Sequence, residues 1–104
     1  MRAVAATAAV LLLASAPANA LDPAAQRGQT FALTNCASCH AIGQNDESPL
    51  AIAPPFRAFH LSYPVDYLAE ALAEGIVTGH PTMPQFRLDP AQIDDLLAYL
   101  QTLE

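Results

Sequence analysis

Cys36, Ala37, Ser38, Cys39 and His40 run consecutively as CASCH. Two thiols three residues apart on a helical turn lie on roughly the same side of the backbone. From there both sulfurs reach the two vinyl groups on one edge of a haem and bind it as thioethers. The histidine that follows turns its imidazole over the macrocycle toward the iron. C-x-x-C-H is the attachment signature of c-type haem, and no other common cofactor needs a histidine directly after the second cysteine. A redox C-x-x-C asks for a β-strand before it, whereas residues 27–35 (RGQTFALTN) hold no β-branched run and read as helix. A zinc site asks for four ligands, and only His60 and His80 remain, singly and far apart. A plain disulfide suits an exported chain. Zinc and disulfide stay open as the alternatives to haem.

The start of the chain bears on that chemistry. Arg2 is a positive opening, residues 3–13 (AVAATAAVLLL) are apolar, and Ala18-Asn19-Ala20 is an A-x-A cleavage site. Residues 1–20 therefore read as a secretory signal cut after Ala20, and the apolar run is too short for a comfortable membrane span. Covalent haem attachment in bacteria takes place outside the cytoplasmic membrane. An export signal and CASCH thus support each other, and the expected location is the periplasm.

Residues 21–104 then form one domain of 84 residues. A chain that short buries a marginal core alone, and a haem supplies a large flat apolar surface for short helices to wrap. The segment carries ten carboxylates against three arginines (Arg27, Arg57, Arg87) and no lysine, a net charge of −7. That charge disfavours nucleic acid and anionic membrane surfaces as partners. It serves solubility, or it matches a basic docking patch on a redox partner.

Asp22-Pro23 is a cap-and-proline start, which predicts a helix over Pro23–Asn35. Gly28, Phe31, Ala32 and Asn35 share one of its faces. Residues 43–57 (GQNDESPLAIAPPFR) hold three prolines and several turn formers and read as loop. A second helix is expected over 65–74, after Pro64 and ending at Gly75. Asp66, Glu70 and Glu74 form its wet face, and Leu68 and Leu72 turn inward. Residues 75–88 are a second loop. Asp89-Pro90 repeats the capped start of a last helix that runs to about Thr102, with Ile93, Leu96, Leu97, Leu100 and Leu103 as its apolar stripe. The fold class is all-α: three main helices around one covalently bound haem.

This order of elements resembles a class I c-type cytochrome, in particular the small bacterial mono-haem carriers, and the resemblance spans residues 21–104. In that family the first and last helices cross closely, a glycine on one against an aromatic on the other, and Gly28 and Tyr99 match those positions. The family also has a proline loop whose backbone carbonyl accepts a hydrogen bond from the proximal histidine. Aligned with its G-P-x-L, Ala53-Pro54-Pro55-Phe56 puts the carbonyl on Pro54 and a haem-packing ring on Phe56, with Ala53 in place of the glycine. The run from Gly79 to Phe86 (GHPTMPQF) looks like the family's methionine loop. Met83 is the one methionine after the signal, and Pro81 and Pro84 stiffen its loop.

The resemblance implies haem c as cofactor, bound by Cys36 and Cys39, with His40 and Met83 as the two axial iron ligands. Met/His ligation raises the reduction potential relative to bis-histidine. His80 is the rival for the distal position. Arg57 and Arg87 are candidates for pairing with haem propionates, as they are for simple solvation. Tyr63 and Tyr67 are candidates to reach a propionate or the methionine sulfur, but are expected to pack in the core with their hydroxyls satisfied, and His60 to lie at the surface or the propionate edge.

The implied function is a soluble, exported one-electron carrier between redox partners, not an enzyme. A haem subunit of a dehydrogenase or oxidase complex is the alternative. A peroxidatic or gas-binding haem protein is a third reading, opposed by Met83, which would close the distal position.

Overall fold

The computed structural model describes residues 2–12, 21–77 and 82–104; the cleavage tripeptide at 18–20 and the rival ligand His80 lie outside them. Residues 2–12 carry no regular structure and stand exposed. The described residues contain four α-helices and no strand. No helix among them is long and apolar enough to cross a membrane.

Helix α1 (Pro23–Asn35) and helix α4 (Pro90–Gln101) start the same way. Asp22 and Asp89 keep an extended backbone, and each carboxylate accepts a hydrogen bond from the N–H three residues on, at 2.8 Å in both cases. Pro23 and Pro90 fill the next position, where an N–H has no helical partner anyway. Gln92 completes a capping box at α4 by accepting from the Asp89 N–H at 3.1 Å.

The two helices cross at Gly28. A β-carbon placed there would press into the Asp95 carbonyl and stand 2.8 Å from Tyr99 Cβ. Only a glycine lets the backbones approach this closely. Beside the crossing, the Arg27 guanidinium grips the Asp95 carboxylate with two bonds of 2.9 and 3.0 Å. Arg27 is largely exposed, so the pair adds orientation more than stability. Tyr99 is buried, and its hydroxyl donates to the Ile42 carbonyl. It thus ties α4 to the chain just past CASCH.

Between these helices lie two smaller ones. Phe56–Ala58 form a 3₁₀ turn that runs into helix α2 (Phe59–Ser62). The expected second helix is present but begins differently. Val65–Tyr67 form a 3₁₀ turn, closed by the Tyr67 N–H on the Pro64 carbonyl at 3.0 Å, and helix α3 spans Leu68–Glu74. Tight i,i+3 turns are common at helix ends. Gly75 ends α3 with a φ of 102°, a conformation that favours glycine. The core gathers Ala32, Phe56, Val65, Leu72 and the apolar face of α4.

Candidate functional site

A cavity of about 450 Å³ opens where α1, α3, α4 and both loops meet. Its volume falls in the range of small-molecule and cofactor sites. Phe31 and Asn35 reach it from α1, Leu68 and Leu72 from α3, and Leu96 and Leu100 from α4. None of its described lining residues is an acid, a lysine or an arginine.

Both cysteines and His40 line this cavity because α1 continues into the motif. The Cys36 N–H bonds to the Ala32 carbonyl at 2.9 Å, and the His40 N–H bonds to the Cys36 carbonyl at 2.9 Å. This places Cys36, Cys39 and His40 on one wall. The sulfurs are free of any disulfide. In the chain before haem attachment, burial pushes the Cys36 thiol up to about 11.

His40 Nδ1 donates to the Pro54 carbonyl at 2.7 Å. That bond places the proton on Nδ1 and leaves the Nε2 lone pair available to a metal. Phe56 is buried with its ring 5.3 Å from the imidazole. Phe59 meets the same imidazole edge-on at 6.1 Å and lies 4.9 Å from Phe56. Phe59 thus belongs to the site, outside the motifs that mark the other site residues. Its signal is the spacing Phe56, Phe59, Tyr63, which brings three aromatic residues to one side of a helical turn.

Met83 lines the cavity, half-buried, with Thr82 and Pro84 beside it. The exit of this second loop is fixed by the Leu88 N–H on the Leu72 carbonyl at 2.9 Å. Tyr63 lines the cavity too, and burial pushes its hydroxyl pKa up. Tyr67 is not a core residue: it is 73% exposed. Its place in the 3₁₀ turn before α3 turns it outward. His60 lines a separate surface groove.

Arg57 does not face the cavity. Its guanidinium donates to the Asp46 carbonyl at 2.7 Å and, at 3.5 Å, to the Gly43 carbonyl. It is thus engaged by the loop backbone rather than free for a propionate. Arg87 is exposed and is not among the cavity residues.

The donor set fits a haem. Two sulfurs, a tautomerically fixed imidazole and a thioether share one apolar, uncharged cavity. The imidazole and the methionine thioether are borderline and soft donors that suit haem iron and not a hard cation, and the two cysteine sulfurs would bond the vinyl groups rather than the iron. Among the described residues no group of three or more His, Cys, Asp or Glu side chains offers an alternative metal site.

Comparison with known proteins agrees. The profile of the cytochrome c family matches residues 25–104. Cytochrome c-552 of Bradyrhizobium diazoefficiens is 33% identical over 94 residues, covering 90% of this chain and 88% of the relative. Cytochrome c6 of a Nostoc species is 36% identical over 88 residues, covering 83% of this chain and 75% of the relative. No solved structure matches the chain significantly. The chain therefore belongs to the cytochrome c family, as a class I c-type cytochrome that binds covalent haem c and carries electrons rather than acting as an enzyme.

Proposed function

We propose that this chain is a freely diffusing carrier exported to the periplasm, with residues 1–20 removed as a signal and residues 21–104 folded around the haem. Cys36 and Cys39 hold the group by thioethers. His40 Nε2 and the Met83 sulfur would be the protein ligands to its iron. When bound, the haem supplies an iron that shuttles between ferrous and ferric states one electron at a time.

The observation that carries this reading is the 2.7 Å bond from His40 Nδ1 to the Pro54 carbonyl. It fixes the imidazole in the metal-binding tautomer and makes it a stronger donor. Phe56 and Phe59 pack against the ring and resist its rotation. A ligand held this rigidly changes little when the iron changes charge, which suits outer-sphere transfer. The uncharged apolar cavity favours the less charged ferrous state and, with a thioether ligand, a raised potential.

Leu50 and Ile52 line the cavity and are 39% and 64% exposed. Partners would dock there transiently over a small apolar area. The charge of −7 on residues 21–104 would steer partners with basic surfaces toward the chain.

Denaturing mass analysis of the exported protein tests the assignment. The chain from Leu21 plus one haem is expected, with the haem resisting extraction into acidified organic solvent. A bare polypeptide mass would refute it.

A further inference from the structure

The segment that follows His40 is held more tightly than a ligand loop requires. Ala41 is fully buried and is gripped on both sides. Its N–H donates to Ser48 Oγ at 2.9 Å, and its carbonyl accepts from the Phe56 N–H at 2.9 Å. The Leu50 N–H reaches the Cys39 carbonyl at 3.1 Å. The backbone on both sides of His40 is therefore bonded to the same loop that presents the Pro54 carbonyl to its ring.

We propose that Ser48 is a positioning residue for His40, acting through Ala41 to set the strength of the His40–Pro54 hydrogen bond and with it the reduction potential. The argument is geometric. The ring bond at 2.7 Å and the backbone bond between Ala41 and Phe56 join the same two segments at two neighbouring points. Ser48 adds a third point at the N–H of the His40–Ala41 peptide, and Phe56 holds the carbonyl of the next peptide, so the two peptides that follow His40 are each pinned against tilting. A tilt at Ala41 would swing the imidazole relative to Pro54. Hydrogen-bond strength falls with misalignment.

Ser48 itself is held in place by its loop. Arg57 donates to the Asp46 and Gly43 carbonyls, and the Gly43 N–H donates to the Asp46 carboxylate at 3.0 Å. The Arg57–Asp46 ion pair is long, 3.9 Å, so the guanidinium works here mainly as a backbone clamp. Side chains outside the ligand set that orient a metal-binding histidine also tune its basicity. Ser48 is neutral, so its removal changes no charge and isolates this effect.

The inference rests on His40 being an iron ligand, and the experiment separates the two claims. In the holoprotein, the ring proton on His40 Nδ1 is followed by NMR, and the midpoint potential is measured alongside. Ser48→Ala is expected to exchange that proton about tenfold faster, the equivalent of one ordinary hydrogen bond. The potential should move upward, because a less basic imidazole stabilises ferric iron less. Ser48→Thr keeps the hydroxyl and should restore both values. If Ser48→Ala fails to mature, Arg57→Gln carries the test through proton exchange alone, since it also removes a charge. A Ser48→Ala protein that is less stable but has unchanged exchange and potential would reduce Ser48 to a structural role. Absence of any iron-shifted His40 signal in the parent protein would instead overturn the ligand assignment.

Discussion

Gly28 and Tyr99 meet face to face at the crossing of α1 and α4, with room for no side chain on the glycine. A β-carbon at position 28 would stand 2.8 Å from Tyr99 Cβ and 2.6 Å from the Asp95 carbonyl carbon. Both obstacles belong to a helix whose buried face is already packed, and the Asp95 obstacle is backbone. Neither can rotate away as a flexible side chain would.

Gly28→Ala therefore should destabilise the holoprotein. Overpacking of this kind costs typically about 1–3 kcal/mol, against the ~1 kcal/mol that alanine gains over glycine in a helix interior. Denaturant unfolding followed by helical circular dichroism reads the difference. An unchanged or higher midpoint would mean that the helices slide apart cheaply, and the close crossing would lose its importance.

Tyr99 supplies a pH prediction. Burial raises its hydroxyl pKa in the folded protein. The protonated form is therefore favoured on folding. The sign follows: the contribution is complete below the unfolded tyrosine value of about 10 and is lost as pH rises through the higher folded value. Tyr63 is shifted in the same direction by burial and adds to the effect. Tyr99→Phe should cost roughly 1–3 kcal/mol at pH 7, because the Ile42 carbonyl loses its partner, and should flatten part of the decline above pH 10. A variant with the parent's full alkaline slope would place the decline elsewhere.

Much of this fold is legible in the residues because its boundaries rest on local chemistry. Asp22-Pro23 and Asp89-Pro90 start helices for reasons contained within four residues, and Gly75 stops one for a reason contained in its own φ. The spacing of CASCH is equally local. What the residues hide is nonlocal. Helix α2 over Phe59–Ser62 is one turn long, too short for any periodicity to register. The role of Arg57 depends on two carbonyls more than ten positions earlier in the chain. The partnership of Ser48 with Ala41 depends on how the intervening turn closes. A charged residue near a proline loop suggests a propionate partner until the fold shows its guanidinium already engaged.

The distribution of charge leads to a kinetic prediction. The cavity wall carries no acid, lysine or arginine among its described residues, whereas residues 21–104 carry −7 overall. Long-range attraction and short-range contact thus belong to different parts of the surface. Electron transfer to the redox partner should slow as salt rises from low to physiological levels, as a basic docking surface requires, since screening shortens the reach of the field to about 8 Å at 0.15 M. Once the field is screened, a salt-independent plateau should remain, set by the apolar contact at Leu50 and Ile52. A rate that rises with salt would point to an acidic docking face on the partner.

Met83 is the sharpest test of the site. Its sulfur belongs to the one methionine of residues 21–104, which lines the same cavity as His40. The flanking Pro84 limits the loop's freedom, and the Leu88–Leu72 backbone bond anchors its exit. A thioether favours ferrous over ferric iron, so its loss should lower the midpoint potential. The ferric protein should show the weak near-infrared band of sulfur-to-iron charge transfer. Met83→Ala should abolish that band and open the reduced iron to carbon monoxide at neutral pH. His80→Ala should keep the band and the potential. The reverse pattern, with Met83→Ala silent and His80→Ala opening the iron, would make the ligation bis-histidine. The carrier would then work at a lower potential, and Met83 would be a packing residue in the cavity wall.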